Sequence, residues 1–551
     1  MRGLMQDWPM TLDRLIDHAA AHYGAREIVT RSVEGPIVRT DYAAVRRRAK
    51  QVSHALKEEG VQLGDRIATL AWTTGRHFET WYGVMGVGAV LHTLNPRLFP
   101  DQIAWIAKHA GDSLLFVDLT FVKLVEQIES KLPSLRKVVI YCAAADMPKT
   151  TLKNAVAYED WIAGRPLDTP WGGFDETTAA GLCYTSGTTG DPKGVLYSHR
   201  SNMLHALTGN QADAFGLAAT DAIMPIAPLF HANAWGVAFL APLAGAKMVM
   251  PGAKLDGASI HELLETEGVT VAAAVPTVWL MLLAHLRETG GKITTLKRTI
   301  IGGTAVPETI LRAFRDDYGV DVIHAWGMTE MSPIGTLGSL APQHANADPE
   351  TKLRLKLKQG RAQFGVEMKI VDDAGRELPH DGKAFGKLLV RGPNVAKAYF
   401  RNEGARNARG DALDDDGWFD TGDVATIDAD GYMQITDRAK DVIKSGGEWI
   451  SSIEIENIAL GAAGVANAAV IGVFHPRWDE RPLLIVEPKP GAACAEESVL
   501  AFLNGKIAKW QMPDAVVLVD KIPLGATGKI NKMALREMFK DYRLPAARAE
   551  N

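Results

Sequence analysis

Residues 184–195 read Tyr-Thr-Ser-Gly-Thr-Thr-Gly-Asp-Pro-Lys-Gly-Val. The hydroxyl side chains of Thr185, Ser186, Thr188 and Thr189 are interleaved with Gly187, Gly190 and Gly194, and Lys193 adds a fixed cation. Hydroxyls and backbone N–H groups in such a loop make a concave anion cradle, which suits a polyphosphate. Glycine allows the close approach and the positive φ that a cradle needs. A polar surface turn has a similar composition. The ordinary P-loop, G-x-x-x-x-G-K-[ST], does not fit. Pro192 stands where its second glycine is required, and Gly194 where a hydroxyl should reach Mg²⁺.

This stretch resembles the phosphate loop of the acyl-adenylate-forming superfamily, which includes acyl-CoA synthetases, luciferases and nonribosomal peptide adenylation domains. Pro-Leu-Phe-His-Ala-Asn-Ala-Trp (228–235) and Lys-Ser-Gly-Gly-Glu-Trp-Ile-Ser (444–451) are similar to segments of the medium- and long-chain fatty acyl-CoA synthetases. The resemblance covers essentially the whole chain, with its motifs in order. It implies an ATP-dependent fatty acid–CoA ligase that uses ATP, Mg²⁺ and coenzyme A. The acid's carboxylate attacks the α-phosphorus of ATP to give acyl-AMP and pyrophosphate, and the CoA thiolate then takes the acyl group.

The same resemblance implies roles for individual residues. Thr185, Ser186, Gly187, Thr188, Thr189 and Gly190 would hold phosphates, and Lys193 would be catalytic, stabilising the developing charge together with Mg²⁺ and Lys529. Glu330 would hold Mg²⁺, with Thr185 sharing it; this ion prefers oxygen and is commonly bound by one carboxylate, phosphates and water. Thr329 would contact the α-phosphate. Trp326 stands where the family more often has tyrosine, and either ring can stack on adenine. Gly302, Gly303 and Thr304 would wall the base, with Ala325 and Gly327 beside it. Asp423, in Thr421-Gly422-Asp423, would accept from the ribose hydroxyls, and Arg438 would bind the same ribose or a phosphate. Lys440 would be the hinge. Lys444 and Trp449 would meet nucleotide and CoA, with Gly446 and Gly447 leaving room for pantetheine. Lys529 would be the adenylation lysine, a cation between two anions. His231 would border the carboxylate, and Trp235 would gate the acid tunnel until ATP binds. Taken singly, these residues have plainer readings: solvated charges for Glu330, Asp423 and Arg438, a structural histidine, a core tryptophan, and a β-turn at 444–451.

The elements that position them read as α/β. The periodicity predicts a helix over 41–59, capped by Thr40 and ended by Gly60, with Arg46, Arg47, Arg48 and Lys50 on a solvated face. Apolar runs at 66–71, 114–117 and 138–141 alternate with helical segments. A second series has strands at 247–250, 270–275, 299–301 and 320–323, with helices at 259–267, 277–287 and 307–317, Pro307 suiting a first turn. Ligands in such doubly wound sheets sit beyond the carboxyl ends of strands. Gly302–Thr304 and Ala325–Glu330 fall there, each after a predicted strand. From about 350 short strands and turns predict a small β subdomain, with Asp414–Gly417 a solvated turn. The rest predicts a small, mobile α+β domain with helices at 452–460 and 496–508 and strands at 468–474, 483–487 and 515–519. The expected division is 1–436, a linker at 437–443, and 444–551.

Bulk properties narrow the field. A chain of 551 residues exceeds one ordinary core. A net charge of −5 gives no reason to expect nucleic acid or an anionic membrane. Cys142, Cys183 and Cys494 have no metal-ligand spacing and read as cytosolic thiols. Neither a signal peptide nor a transmembrane segment is expected: Pro242 and Lys247 break the most apolar stretch, 234–251. The sequence leaves the oligomeric state open; a related long-chain enzyme is a homodimer, which is an analogy only. The rival activities are a CoA ligase for a short methylthio-alkanoic or aryl acid and an enzyme that loads a separate carrier protein. A fused carrier is not expected, because few residues follow Lys529. A noncatalytic acyl-adenylate sensor would not need Lys193, Glu330, Asp423 and Lys529 together.

Overall fold

The computed structural model describes residues 1, 3–185, 192–402, 413–414, 416–438, 441–445, 448–525 and 530–544, with the backbone alone at Asn233, Glu448 and Trp449. Two large sheets dominate. The first runs Ala155–Ala157, Lys137–Ile140, Leu114–Val117, Arg66–Leu70, Val90–Thr93, Ala179–Tyr184, Gly194–Ser198, parallel except for the last pair. The second runs Arg361–Ala362, Ile334–Leu337, Asp321–Gly327, Arg298–Gly302, Val271–Ala274, Ala222–Pro225, Lys247–Met250, Glu27–Arg31, Ile37–Asp41. Its centre is parallel and its edges are antiparallel.

Strand periodicity explains the layers. Leu114 and Phe116 enter one hydrophobic cluster, while Leu115 and Val117 enter another on the opposite face. The first cluster joins both sheets: Ile67 and Phe116 meet it from one, Ile28, Met248 and Ile300 from the other. Helices Tyr42–Glu58, Gly75–Gly86 and Val237–Ala244 share it. Ile103 and Val125 cover the far face of the first sheet, and Leu263, Leu282 and Ile310 that of the second.

Several expectations are corrected. Asp41, not Thr40, caps the helix at Tyr42, accepting from Ala44 N at 2.7 Å. Its basic face is not uniformly solvated. Arg48 pairs with Glu79 and Glu159, and Lys50 is buried, donating to Thr169 O at 2.8 Å. These partners are distant in sequence, so helix periodicity could not reveal them. The predicted helix at 307–317 is α-helical only over Glu308–Arg312, widens into a π-helix over Ala313–Asp317, and has Pro307 as its N-cap. Helix Pro349–Leu357, capped by Asp348, interrupts the region expected to be strands and turns. The helix expected at 496–508 ends at Leu503.

A four-stranded antiparallel sheet follows, in the order Glu367–Val371, Phe385–Arg391, Phe419–Ile427, Met433–Arg438. Val390, Phe419 and Ala425 pack it against Cys183, Val195 and Trp326. Asp414 accepts from Asp416 N and Trp418 N, forming the expected turn. The C-terminal part has a mixed sheet built on the long hairpin Val465–His475 and Asp479–Pro488, with Ala515–Leu518 parallel to its second arm. Helices Ser452–Ala459 and Glu496–Leu503 cover one face, and Leu535 of helix Lys532–Met538 packs on the other. No described helix is long and apolar enough to cross a membrane.

Candidate active site

Strand Ala179–Tyr184 leads into the candidate phosphate loop and strand Gly194–Ser198 takes the chain away from it. Two bonds close the neck: Thr185 N donates to Lys193 O at 2.9 Å, and Lys193 N to Thr185 Oγ1 at 3.2 Å. Ser186, Gly187, Thr188, Thr189 and Gly190 lie outside the described residues. Lys193 Nζ stands 4.8 Å from the centre of the Tyr399 ring.

The same tyrosine reaches Glu330. Its hydroxyl donates to Glu330 Oε1 at 2.7 Å, and Ala396 N donates to Glu330 O at 2.8 Å. Glu330 is 6 % exposed. Burial pushes its pKa above the ordinary carboxyl range; the Tyr399 hydrogen bond and the charges of Arg438 and Lys193 oppose that rise. Sequence reading missed Tyr399, because nothing local links it to a carboxylate 69 residues away. The donor set fits Mg²⁺. Among the described residues no group of three His, Cys, Asp or Glu side chains could hold a metal alone. One carboxylate with a hydroxyl from Thr185 suits an ion that takes its remaining ligands from phosphates and water.

The corner around Asp423, the candidate ribose site, is built from two strands of the small sheet and one of the second large sheet. Asp423 faces Arg438 across the small sheet, and Arg438 Nε lies 2.8 Å from Asp423 Oδ1. Trp326 Nε1 donates to Asp423 Oδ2 at 2.9 Å. The Trp326 ring is 7 % exposed, and a Cβ at Gly335 would fall 2.7 Å from it. Its N–H therefore orients the carboxylate, a contact the stacking expectation did not include. Ala325, Trp326 and Gly327 also lie inside the strand Asp321–Gly327 rather than after it. The antiparallel neighbour Ile334–Leu337 extends that strand beyond its apolar run. Thr329 and Glu330 do follow the strand, in a 3-10 turn, where Tyr197 Oη donates to Thr329 O at 2.6 Å.

Gly302 sits opposite Ala325, and a Cβ there would lie 2.6 Å from Ala325 O. Gly303 has φ +88°, with Thr304 next to it, both exposed. A Cβ on Gly303 would meet Val275 Cγ1 at 3.2 Å and the Trp235 ring at 4.0 Å. Trp235 thus belongs both to the shared hydrophobic cluster and to the edge of the candidate site. Its backbone is strained: φ is +41° at Ala232, +49° at Ala234 and +55° at Trp235. Left-handed backbone at such residues costs of order 1–3 kcal/mol each. His231, half-buried, precedes this segment, and Phe230 is buried with its ring 6.0 Å from that of Trp72. His205, which sequence reading did not single out, accepts from Ile334 N at 3.2 Å and abuts Gly236.

Lys440, Gly446, Gly447 and Lys529 lie outside the described residues, as does the Trp449 side chain. Lys444 is exposed, pairs in register with Trp449, and its N–H donates to Glu480 Oε2 at 3.0 Å.

The AMP-binding enzyme family matches residues 16–400, and the AMP-binding enzyme C-terminal domain matches 454–529. A 3-methylmercaptopropionyl-CoA ligase of Ruegeria lacuscaerulensis is 48% identical over 98% of this chain and 99% of its own. A medium-chain-fatty-acid–CoA ligase of Ectopseudomonas oleovorans is 45% identical over 99% and 98%. ATP-bound MatB from Rhodopseudomonas palustris superposes with TM-score 0.81 at 27% identity, covering 97% of this chain and 99% of that one. Apo MatB gives 0.72 at 26% identity, covering 96% and 99%. Ligases of this family use ATP, Mg²⁺ and CoA. The chain belongs to the AMP-binding enzyme family and is an AMP-forming acyl-CoA ligase.

Proposed function

We propose that the acid is a medium- to long-chain fatty acid, activated at the site just described and passed to CoA. Lys193 and the hydroxyls that begin with Thr185 bind the phosphates. Glu330, supported by Tyr399, holds Mg²⁺, which when bound neutralises phosphate charge. Asp423, aimed by Trp326 and Arg438, accepts from the ribose hydroxyls. Gly302 and Gly303 let backbone stand close to the base. His231 borders the carboxylate. Lys529 supplies the cation that brings the carboxylate to the α-phosphorus, and rotation about Lys440 then exchanges it for the segment carrying Lys444 and Trp449. The higher score to ATP-bound than to apo MatB supports reading the present domain arrangement as the adenylate-forming one. The unpaired thiols of Cys142, Cys183 and Cys494 support a cytoplasmic enzyme.

The strained backbone around Trp235 carries the fatty-acid reading. A tryptophan that only floored a short pocket would gain nothing from three left-handed residues; a gate held in one of two positions would. The second reading, a short methylthio acid, has the 48% identical relative in its favour. An acid panel from acetate through palmitate, with 3-methylthiopropionate, benzoate and cinnamate, decides between them by thioester formation. The fatty-acid reading expects kcat/KM to peak between hexanoate and palmitate. It also expects Trp235→Ala to let fatty acid bind without ATP. A peak at 3-methylthiopropionate with no such change replaces it by the second reading.

A further inference from the structure

A buried charge cluster spans the segment that joins the two parts of the chain. Asp437, 1 % exposed, lies in the last strand of the small sheet. Its Oδ2 accepts from both the backbone N–H and the hydroxyl of Ser452, each at 2.6 Å. Ser452 opens helix Ser452–Ala459 on the far side of the joining segment. Lys532 completes the cluster, pairing with Glu456 Oε1 at 2.8 Å and donating to Ser452 Oγ. Glu456 Oε1 also accepts from Val470 N at 2.7 Å. Beside them, Ser451 Oγ donates to Thr436 O, and Arg536 pairs with Asp441 at 2.6 Å.

The Lys532–Glu456 pair is internal to the C-terminal domain and would hold that domain together in any arrangement. The Asp437–Ser452 bonds are different. They connect the last strand of the small sheet to the start of helix Ser452–Ala459, on opposite sides of residues 439–440 in the chain, so a large rotation about Lys440 must break them. Lys532 also begins the helix three residues after Lys529. One ammonium therefore ties the end of the lysine loop, through Ser452, to the last strand before the hinge. Hydrogen bonds to a buried carboxylate are among the stronger ones, and they favour the single arrangement in which they form.

We propose that Asp437, acting through Ser452 and Lys532, is a positioning residue that latches the domains in the adenylate-forming arrangement, and that releasing it is part of the change to thioester formation. This rests on the reading of two half-reactions joined by rotation about Lys440. Asp437→Ala leaves Lys532 and Glu456 as a balanced pair, so the domain retains its charge compensation. Ser452→Ala is the milder variant, keeping the backbone N–H bond and losing the hydroxyl bridge.

The experiment has two arms. Acyl-AMP formation and thioester formation from presynthesised acyl-AMP are measured separately for wild type and both variants. Spin labels at Lys123→Cys and Lys540→Cys, both exposed positions, report the interdomain distance in a Cys494→Ser background; Cys142 and Cys183 are buried. Loss of a charge-assisted bond shifts a two-state equilibrium by about tenfold or more. Asp437→Ala should lower adenylation by about that factor relative to thioester formation, and should populate a second distance. Ser452→Ala should move both readouts the same way by less, and decides the matter alone if Asp437→Ala does not fold. Equal loss of both half-reactions, a shift towards adenylation, or an unchanged distance distribution overturns the latch. A wild type that forms neither acyl-AMP nor thioester would instead overturn the ligase reading, with the distance arm still answering for the latch.

Discussion

Tyr399→Phe isolates one hydrogen bond of the candidate metal site. The ring stays, so the contact with Lys193 Nζ at 4.8 Å stays, and only the donor to Glu330 Oε1 at 2.7 Å is lost. Glu330 is buried, and burial already raises its pKa; Tyr399 is the largest influence opposing that rise. Removing it should raise the pKa further, so more of the protein carries a protonated, non-ligating Glu330 at a given pH. A hydrogen bond to a charged group contributes about 1.5–3 kcal/mol, which is about ten- to a hundredfold in an equilibrium. The Mg²⁺ concentration for half-maximal adenylation should therefore rise by about tenfold or more on the acidic side of the profile. The acid limb should also move to higher pH. High pH should restore much of the loss, because the carboxylate is then ionised without help. ATP–pyrophosphate exchange titrated against Mg²⁺ across pH checks this, with circular dichroism to confirm the fold. An unchanged Mg²⁺ requirement and acid limb in a folded variant would refute Glu330 as the metal carboxylate supported by Tyr399.

Trp326→Phe keeps an aromatic face but replaces the indole by a smaller phenyl and loses the N–H that aims Asp423, so KM for ATP should rise about tenfold; titrating ATP in the exchange assay checks it. Lys529→Ala should cripple acyl-AMP formation and spare thioester formation from presynthesised acyl-AMP and CoA. Equal loss of both would withdraw that lysine's adenylation role. Asp118, fully buried and accepting from Trp72 N at 2.6 Å, has its carboxyl pushed up by burial to about 7. A raised folded-state pKa gives stability that is present below the unfolded value of 3.8 and is lost as pH rises towards 7. The loss is up to about 1.4 kcal/mol for each pH unit in that window. Asp118→Asn should flatten this part of the curve, measured by urea midpoints from pH 4 to 7 against wild type; parallel curves would contradict it.

The main strands were legible because burial on both faces leaves an unbroken apolar run, as at Leu114–Val117 and through Met248, Val249 and Met250. Their ends were less legible. Ala325–Gly327 carries no strand signal of its own and is strand because Ile334–Leu337 lies against it. Asp41 displaced Thr40 as a cap for a similar reason: both residue types suit the position, and the backbone entering the helix chooses between them. The motif at residues 184–195 and those around Glu330 and Asp423 were visible as local stretches in a set order.

Sequence alone determined the family, because its motifs are contiguous stretches whose chemistry is set by residue type and spacing. It also determined the α/β class, because the period of apolar residues is a local property. Tertiary structure alone decided which groups serve those motifs. Tyr399 for Glu330, Trp326 for Asp423 and Ser452 for Asp437 are pairings across 69, 97 and 15 residues. The same holds for Arg48 and Lys50, whose partners convert an apparently solvated face into buried contacts. Such pairings are set by how sheets and helices stack, and the energy of a buried hydrogen bond depends on the water that stacking removes.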